Sequence, residues 1–148
     1  MKIGIGSDHG GFELKEILKD YLVEKGHSLV DVGCYSEDSV DYPDIGEDLC
    51  REVIEGNIDE AIAICGTGIG ISIACNKVKG IRAAHVTDTF SARASKNHNN
   101  ANVLCLGARI TGVEIAKDIV DNYLESSFDH GRHERRVNKI MDIEERGM

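Results

Sequence analysis

The sequence predicts an α/β protein: a doubly wound, three-layer sandwich with helices on both faces of a five-stranded parallel sheet of order 2-1-3-4-5. Two observations carry this expectation. Five short apolar runs of β type alternate along the chain with segments whose apolar residues recur at helical spacing, the pattern of repeated βαβ units. Right-handed crossovers between so few strands then favour a doubly wound order. The 148 residues are 41% hydrophobic with a single proline, enough to bury a full core, and are expected to form one domain over residues 1–148.

The elements follow in order. Lys2–Ser7 (KIGIGS) reads as the first strand. Residues 11–25 carry Leu14, Ile17, Leu18, Tyr21 and Leu22 as a helical stripe that stops at Gly26. Ser28–Val32 is a second strand, followed by the polar loop GCYSEDSVDYPD. Pro43 suits the first turn of a helix with Ile45, Leu49, Val53 and Ile54 on one face. Glu60–Cys65 is the third strand, and a short helix covers Ile71–Lys77. Arg82–Val86 is the fourth strand, with a helix over Asp88–Lys96 and the turn-rich NHNNAN after it. Val103–Leu106 is the fifth strand, residues 112–125 a helix, and a last helix starts near Arg132. No internal repeat, low-complexity tract or linker interrupts this Rossmann/flavodoxin-like succession.

In such sheets ligands bind beyond the carboxyl ends of the strands, near the switch point between the first and third. Those ends carry Asp8-His9, Cys65-Gly66-Thr67 and Gly107-Ala108-Arg109. The glycine turn CGTGIG excludes the common nucleotide motifs one by one. Gly4-Ile5-Gly6 begins a dinucleotide fingerprint, but His9 stands where its third glycine belongs, and Asp31 alone is weak evidence for a ribose-binding acid. No Gly-Lys-Ser/Thr follows for a Walker loop, and Ile71 occupies the arginine position of a cysteine phosphatase. What remains is a cysteine at a helix N-terminus facing backbone N–H groups. Such a setting favours negative charge, so it is expected to lower the thiol pKa and to stabilise an oxyanion. Proton abstraction beside a carbonyl, through an enediolate, needs both. The bland alternative is an inert core thiol.

Asp8 suits a helix cap as well as a ligand contact, whereas a cap has no use for the imidazole of His9. In GRHERRV, Arg132, Arg135 and Arg136 crowd a helix start, where positive charge opposes the macrodipole. Arg132 and Arg136 share one face at a spacing suited to a phosphate; the alternative is a solvated, salt-bridged helix. The net charge of −9 argues against nucleic acid and anionic membranes as partners. The start of the chain lacks the apolar core of a signal peptide. Five scattered cysteines (34, 50, 65, 75 and 105) suggest neither a disulfide framework nor a structural zinc, and a cytoplasmic location is expected.

Together SDHGGF, DYPD, CGTGIG, HNNANVLCLGAR and GRHERRV resemble the B-type ribose-5-phosphate isomerases, a family that includes allose-6-phosphate isomerase and the galactose-6-phosphate isomerase subunits. The motifs span residues 7–137. The resemblance implies a metal-free and cofactor-free aldose–ketose isomerisation through a cis-enediolate, in a homodimer or dimer of dimers. By position it implies that Cys65 is the base moving the proton between C2 and C1, with Thr67 orienting it. Gly66, Gly68, Ile69 and Gly70 would supply oxyanion N–H groups. His98 would open the furanose ring with Asp8 holding the sugar. His9, Arg109, Arg132 and Arg136 would bind phosphate, and Tyr42 and Asn99 would line the sugar. Gly10 stands where many relatives have alanine. A non-catalytic phosphate- or nucleotide-binding module on the same fold is the competing class, although it would need neither Cys65 nor His98.

Topology adds one expectation. Cys65 ends the third strand, whereas His98 follows a helix that has run back down the sheet by about 15 Å. If both act on one sugar, His98 must come from a partner subunit.

Overall fold

A computed structural model describes residues 1–147; Met148, the last residue of the expected domain, lies outside the described residues. The chain runs β1 (Lys2–Ser7), a 3-10 turn (His9–Gly11), α1 (Phe12–Glu24), β2 (Ser28–Asp31), α2 (Tyr42–Ile54) and β3 (Glu60–Cys65). It continues through α3 (Ile69–Cys75), β4 (Ala83–His85), α4 (Thr89–Asn97), β5 (Val103–Gly107), α5 (Val113–Glu125) and α6 (Arg132–Glu145). Every strand pair is parallel.

The sheet order is β2-β1-β3-β5-β4. This corrects the expected 2-1-3-4-5 at one point: β5, not β4, lies beside β3. The reason is burial. Val103–Gly107 is buried throughout and pairs on both sides, as a central strand must. The fourth strand keeps only three residues of the expected five, half-buried Ala83 and Ala84 and exposed His85, and a short strand of this kind suits an edge.

Side-chain alternation along β3 separates two cores. Ile62 and Ile64 join Ile3, Ile5, Leu18, Leu104 and Ile119 under α1, α4 and α5. Ala61, Ala63 and Cys65 face Leu49, Cys50, Ile71, Cys75 and Cys105 under α2 and α3. Period two therefore commits the Cys65 thiol to the α2/α3 face. The small residues of β1 have the same origin: a Cβ at Gly4 would lie 2.9 Å from Leu49 Cδ1, so glycine lets α2 pack closely. Truncating a fully buried side chain such as Leu18 to alanine is expected to cost about 2–5 kcal/mol.

Two polar networks brace the ends of the sheet. Near the start of β5, Glu60 accepts from Tyr123 Oη (2.7 Å) and pairs with Lys96, while Lys96 and Tyr123 also donate to the Ala101 carbonyl. Near the end of β2, Asp31 accepts from the fully buried Lys15 (2.5 Å), from Lys19 (2.8 Å) and from Gly33 N (2.9 Å). Burial would raise the Asp31 carboxyl, but its two lysines and the Gly33 N–H outweigh that and hold it below the usual range. The acid considered for a ribose is thus occupied in fixing the loop that leads to α2. No described helix is long and apolar enough to cross a membrane.

Candidate active site

The carboxyl end of the sheet gathers one group of the expected residues. Asp8 follows β1, and its Oδ1 accepts from Gly11 N at 3.1 Å, so the capping reading holds. His9 Nδ1 accepts from Val40 N at 3.2 Å. In the neutral imidazole this leaves the proton on Nε2, a donor free for a ligand. Tyr42, in the first turn of α2, lies over Gly70, where a Cβ would sit 2.7 Å from its ring. The Arg109 guanidinium lies against Gly66, whose Cβ would meet Nη1 at 3.5 Å, and Arg109 N donates to Gly66 O at 3.0 Å. Among the described residues Arg109 has no ion-pair partner.

The loop itself is shaped by close approach. Gly68 has φ +82°, a left-handed conformation that glycine adopts without cost, and it caps α3. From there its N–H donates to Cys65 Sγ at 3.1 Å. Thr67 Oγ1 accepts from Ile69 N at 3.2 Å, and a Cβ at Gly107 would sit 2.8 Å from Thr67 Cα. Two of the four expected oxyanion donors, Gly68 and Ile69, are therefore engaged within the loop. The N–H groups of Gly66 and Gly70 have no protein acceptor among the described residues. The thiol, 4% exposed, sits at the floor of this cup.

The other expected residues form a second group at the amino-terminal edge of the sheet. His98 ends α4, its N–H donating to Ala94 O at 2.8 Å, and Asn99 follows. The His98 ring stacks on His133 with centroids 4.3 Å apart. Arg132 and Arg136 share the first turns of the largely exposed α6. Partial desolvation, with the positive charges of His98, Arg132 and Arg136, holds His133 below the ordinary imidazole range. The structure thus brings Asp8, His9, Tyr42, Cys65, Thr67 and Arg109 together, and His98, Asn99, Arg132 and Arg136 together, but not the two groups.

Three features escaped the sequence reading. His85 is exposed, with its ring against Gly68: a Cβ there would meet His85 Nε2 at 2.8 Å. Its place one turn from a glycine loop gave no signal, because the contact depends on which strand forms the edge. Lys15 is fully buried on α1, where its tertiary partner Asp31 and its neighbour Glu16 compensate its charge. The tie from Val40 to His9 spans a loop with no pattern of its own.

The sequence model of the family described as Ribose/Galactose Isomerase matches residues 3–140. Ribose-5-phosphate isomerase B of Escherichia coli (strain K12) is 46% identical over 145 residues, 98% of this chain and 97% of that protein. The structure of Clostridium thermocellum ribose-5-phosphate isomerase B covers both chains fully at 51% identity, with a TM-score of 0.98. That of ribose-5-phosphate isomerase B from Mycoplasma genitalium, with bound ribulose-5-phosphate, is 41% identical over 97% of this chain and 96% of that one, with a TM-score of 0.92. The motif resemblance, the sheet and the cysteine-bearing glycine loop agree with these matches: the chain belongs to the ribose/galactose isomerase family of sugar phosphate isomerases.

Proposed function

We propose that the chain, as one isomerase domain over residues 1–148, interconverts ribose 5-phosphate and ribulose 5-phosphate through a cis-enediolate. The observation that carries this reading is the contact between Gly68 N–H and Cys65 Sγ inside a loop with unengaged N–H groups at Gly66 and Gly70. That N–H fixes the sulfur in the loop, beside the unengaged donors, where it can take a proton from a bound sugar. In the open-chain aldose, Cys65 takes the proton from C2. The electron pair moves into a C1–C2 double bond, and charge develops on O1. The Gly66 and Gly70 N–H groups stabilise that oxygen, an effect worth about 10²–10³ in rate per donor. Cys65 then returns the proton to C1 while the proton on O2 passes to O1, leaving the carbonyl at C2. Thr67 orients the base by holding Ile69 N, which fixes the loop.

Asp8 holds the sugar with the oxygen its cap leaves free, and Tyr42 lines the sugar above Gly70. His9 through Nε2–H, with Arg109, binds the phosphate group from this side. His98 opens the furanose ring, taking the proton from the O1 hydroxyl and giving one to the ring oxygen. Arg132 and Arg136 complete the phosphate clamp, and Asn99 contacts the sugar. Because these last four stand at the other end of the sheet, the chain works as a homodimer or dimer of dimers, with each site shared between two subunits. The competing substrates are allose 6-phosphate and galactose 6-phosphate, and their extra carbon demands a deeper pocket. The deciding measurement compares kcat/KM for the three sugar phosphates and repeats the best with Cys65→Ala. Preference for ribose 5-phosphate and loss of turnover with retained binding are expected. Near-native turnover by Cys65→Ala would exclude the thiol as base, and a six-carbon preference would reassign the substrate.

A further inference from the structure

We propose that His98, Asp129 and His133 form a binding site for a borderline divalent transition-metal ion, of which zinc is the natural probe. One ligand atom from each lies within 4.8 Å of the others. Two imidazole nitrogens and one carboxylate are a donor set that suits zinc, cobalt and nickel and leaves positions open for water.

The backbone carrying these donors is tied in place. Asp129 N donates to Asn97 O at 3.0 Å, pinning the segment before α6 to the end of α4. His98 N donates to Ala94 O at 2.8 Å, and His133 N to His130 O at 3.2 Å. None of the three side chains has a hydrogen-bond or ion-pair partner among the described residues, so a metal would displace no existing polar bond. Beside them His130 Nδ1 stands 3.7 Å from Glu134 Oε2, a second imidazole–carboxylate pair in the same short segment.

The two rings are stacked and nearly parallel at 10°, so their lone pairs do not converge as they stand. Metal–nitrogen bonds of about 2.0–2.1 Å require one ring to turn out of the stack. His98 is exposed and free to make that turn. The guanidinium groups of Arg132 and Arg136 oppose a cation, so affinity is modest and falls short of that of a closed structural zinc site. The rest of the inference depends on the proposed function. A bound ion occupies the imidazole assigned to ring opening, so zinc inhibits the isomerase reversibly.

The test is a calorimetric titration of zinc chloride into the free full-length protein, paired with isomerase assays with and without zinc and EDTA. One ion per chain is expected, with binding at least about tenfold weaker in Asp129→Asn and in His133→Gln. Asp129→Asn should keep its zinc-free turnover and lose most of its zinc inhibition. Because Asp129 is exposed, its folding is not at issue, and His133→Gln serves as the second variant. Cys65→Ser should bind zinc as the native chain does. Loss of binding in Cys65→Ser, or unchanged binding in both Asp129→Asn and His133→Gln, overturns the proposal and places the ion elsewhere. Binding that weakens in both Asp129→Asn and His133→Gln but brings no inhibition supports the metal site and removes the ring-opening role from His98.

Discussion

Mixing two inactive variants tests the shared site directly. Cys65 pairs in register with Gly107 at the end of β5, whereas His98 precedes Val103 at its start. The four steps from Val103 to Gly107, at roughly 3.3 Å each, separate the two ends by about 13 Å. Proton transfer to a single sugar needs donor and acceptor within about 3 Å of the atoms they serve. One chain cannot span that gap, and two chains related by a two-fold axis can. Cys65→Ala and His98→Ala proteins, each inactive alone, are unfolded together and refolded as an equimolar mixture. Random pairing makes about half the dimers mixed, and each mixed dimer holds one intact site of two, so activity should recover to about a quarter of the native value. Native mass spectrometry of differently tagged chains measures the mixing. Recovery near zero in a sample shown to be half mixed would falsify the division of the site between subunits.

Three further outcomes are expected. Gly68→Ala forces a side chain onto a φ of +82°, with its Cβ 2.8 Å from His85 Nε2 and 2.9 Å from the Leu106 carbonyl carbon. The loop must shift, kcat should fall by about 10²-fold as its donors move, and a native kcat would show that the loop tolerates movement. Asp31→Asn leaves the buried Lys15 with only the part-exposed Glu16 carboxylate as its anion and should cost about 1–3 kcal/mol in urea unfolding. Because the folded Asp31 carboxyl lies below its unfolded value, its contribution is full above about pH 4 and is lost as pH falls through the folded value. A parallel loss of stability with pH in native and Asp31→Asn proteins would contradict that assignment. Arg136→Ala should raise KM for the sugar phosphate by tenfold or more with a smaller fall in kcat, and an unchanged KM would mean that α6 does not touch the phosphate.

Where the sequence was legible, the reason is local. β3 was read with its observed bounds because Glu60–Cys65 is an apolar run closed by glycines, and β1 because KIGIGS alternates. The cysteine loop was legible because glycines at its turns mark close approaches, seen at Gly68 and Gly107. Strand order was not, because it depends on which run is buried on both sides, and Arg82–Val86 and Val103–Leu106 look alike until burial separates them. The direction of individual N–H groups was equally hidden. The motif suggested four oxyanion donors, and the conformation of the loop turns those of Gly68 and Ile69 inward, one to sulfur and one to a hydroxyl.

The placement of α6 draws these observations together. Among its described residues only Val137 is buried, while Ile140 and Ile143 remain about half exposed. They border a groove of about 580 Å³ that also touches Ile81, Ala83, Met141 and Asn99, beside the edge strand β4. A helix that buries one residue gains little from its own core, and the arginine that opens it, Arg132, opposes the macrodipole. Within one chain neither feature favours the helix. Both make sense if the helix serves a neighbour, with its apolar flank and the β4 edge facing a second copy and its arginines meeting the anion held under that copy's Cys65 loop. Under the proposed function, such a two-fold arrangement would supply the phosphate contacts, bring His98 to the sugar and cover the groove. Disruption of the groove by Ile140→Asp should therefore dissociate the proposed dimer and abolish turnover together, whereas an active monomer would separate the exposed flank of α6 from catalysis.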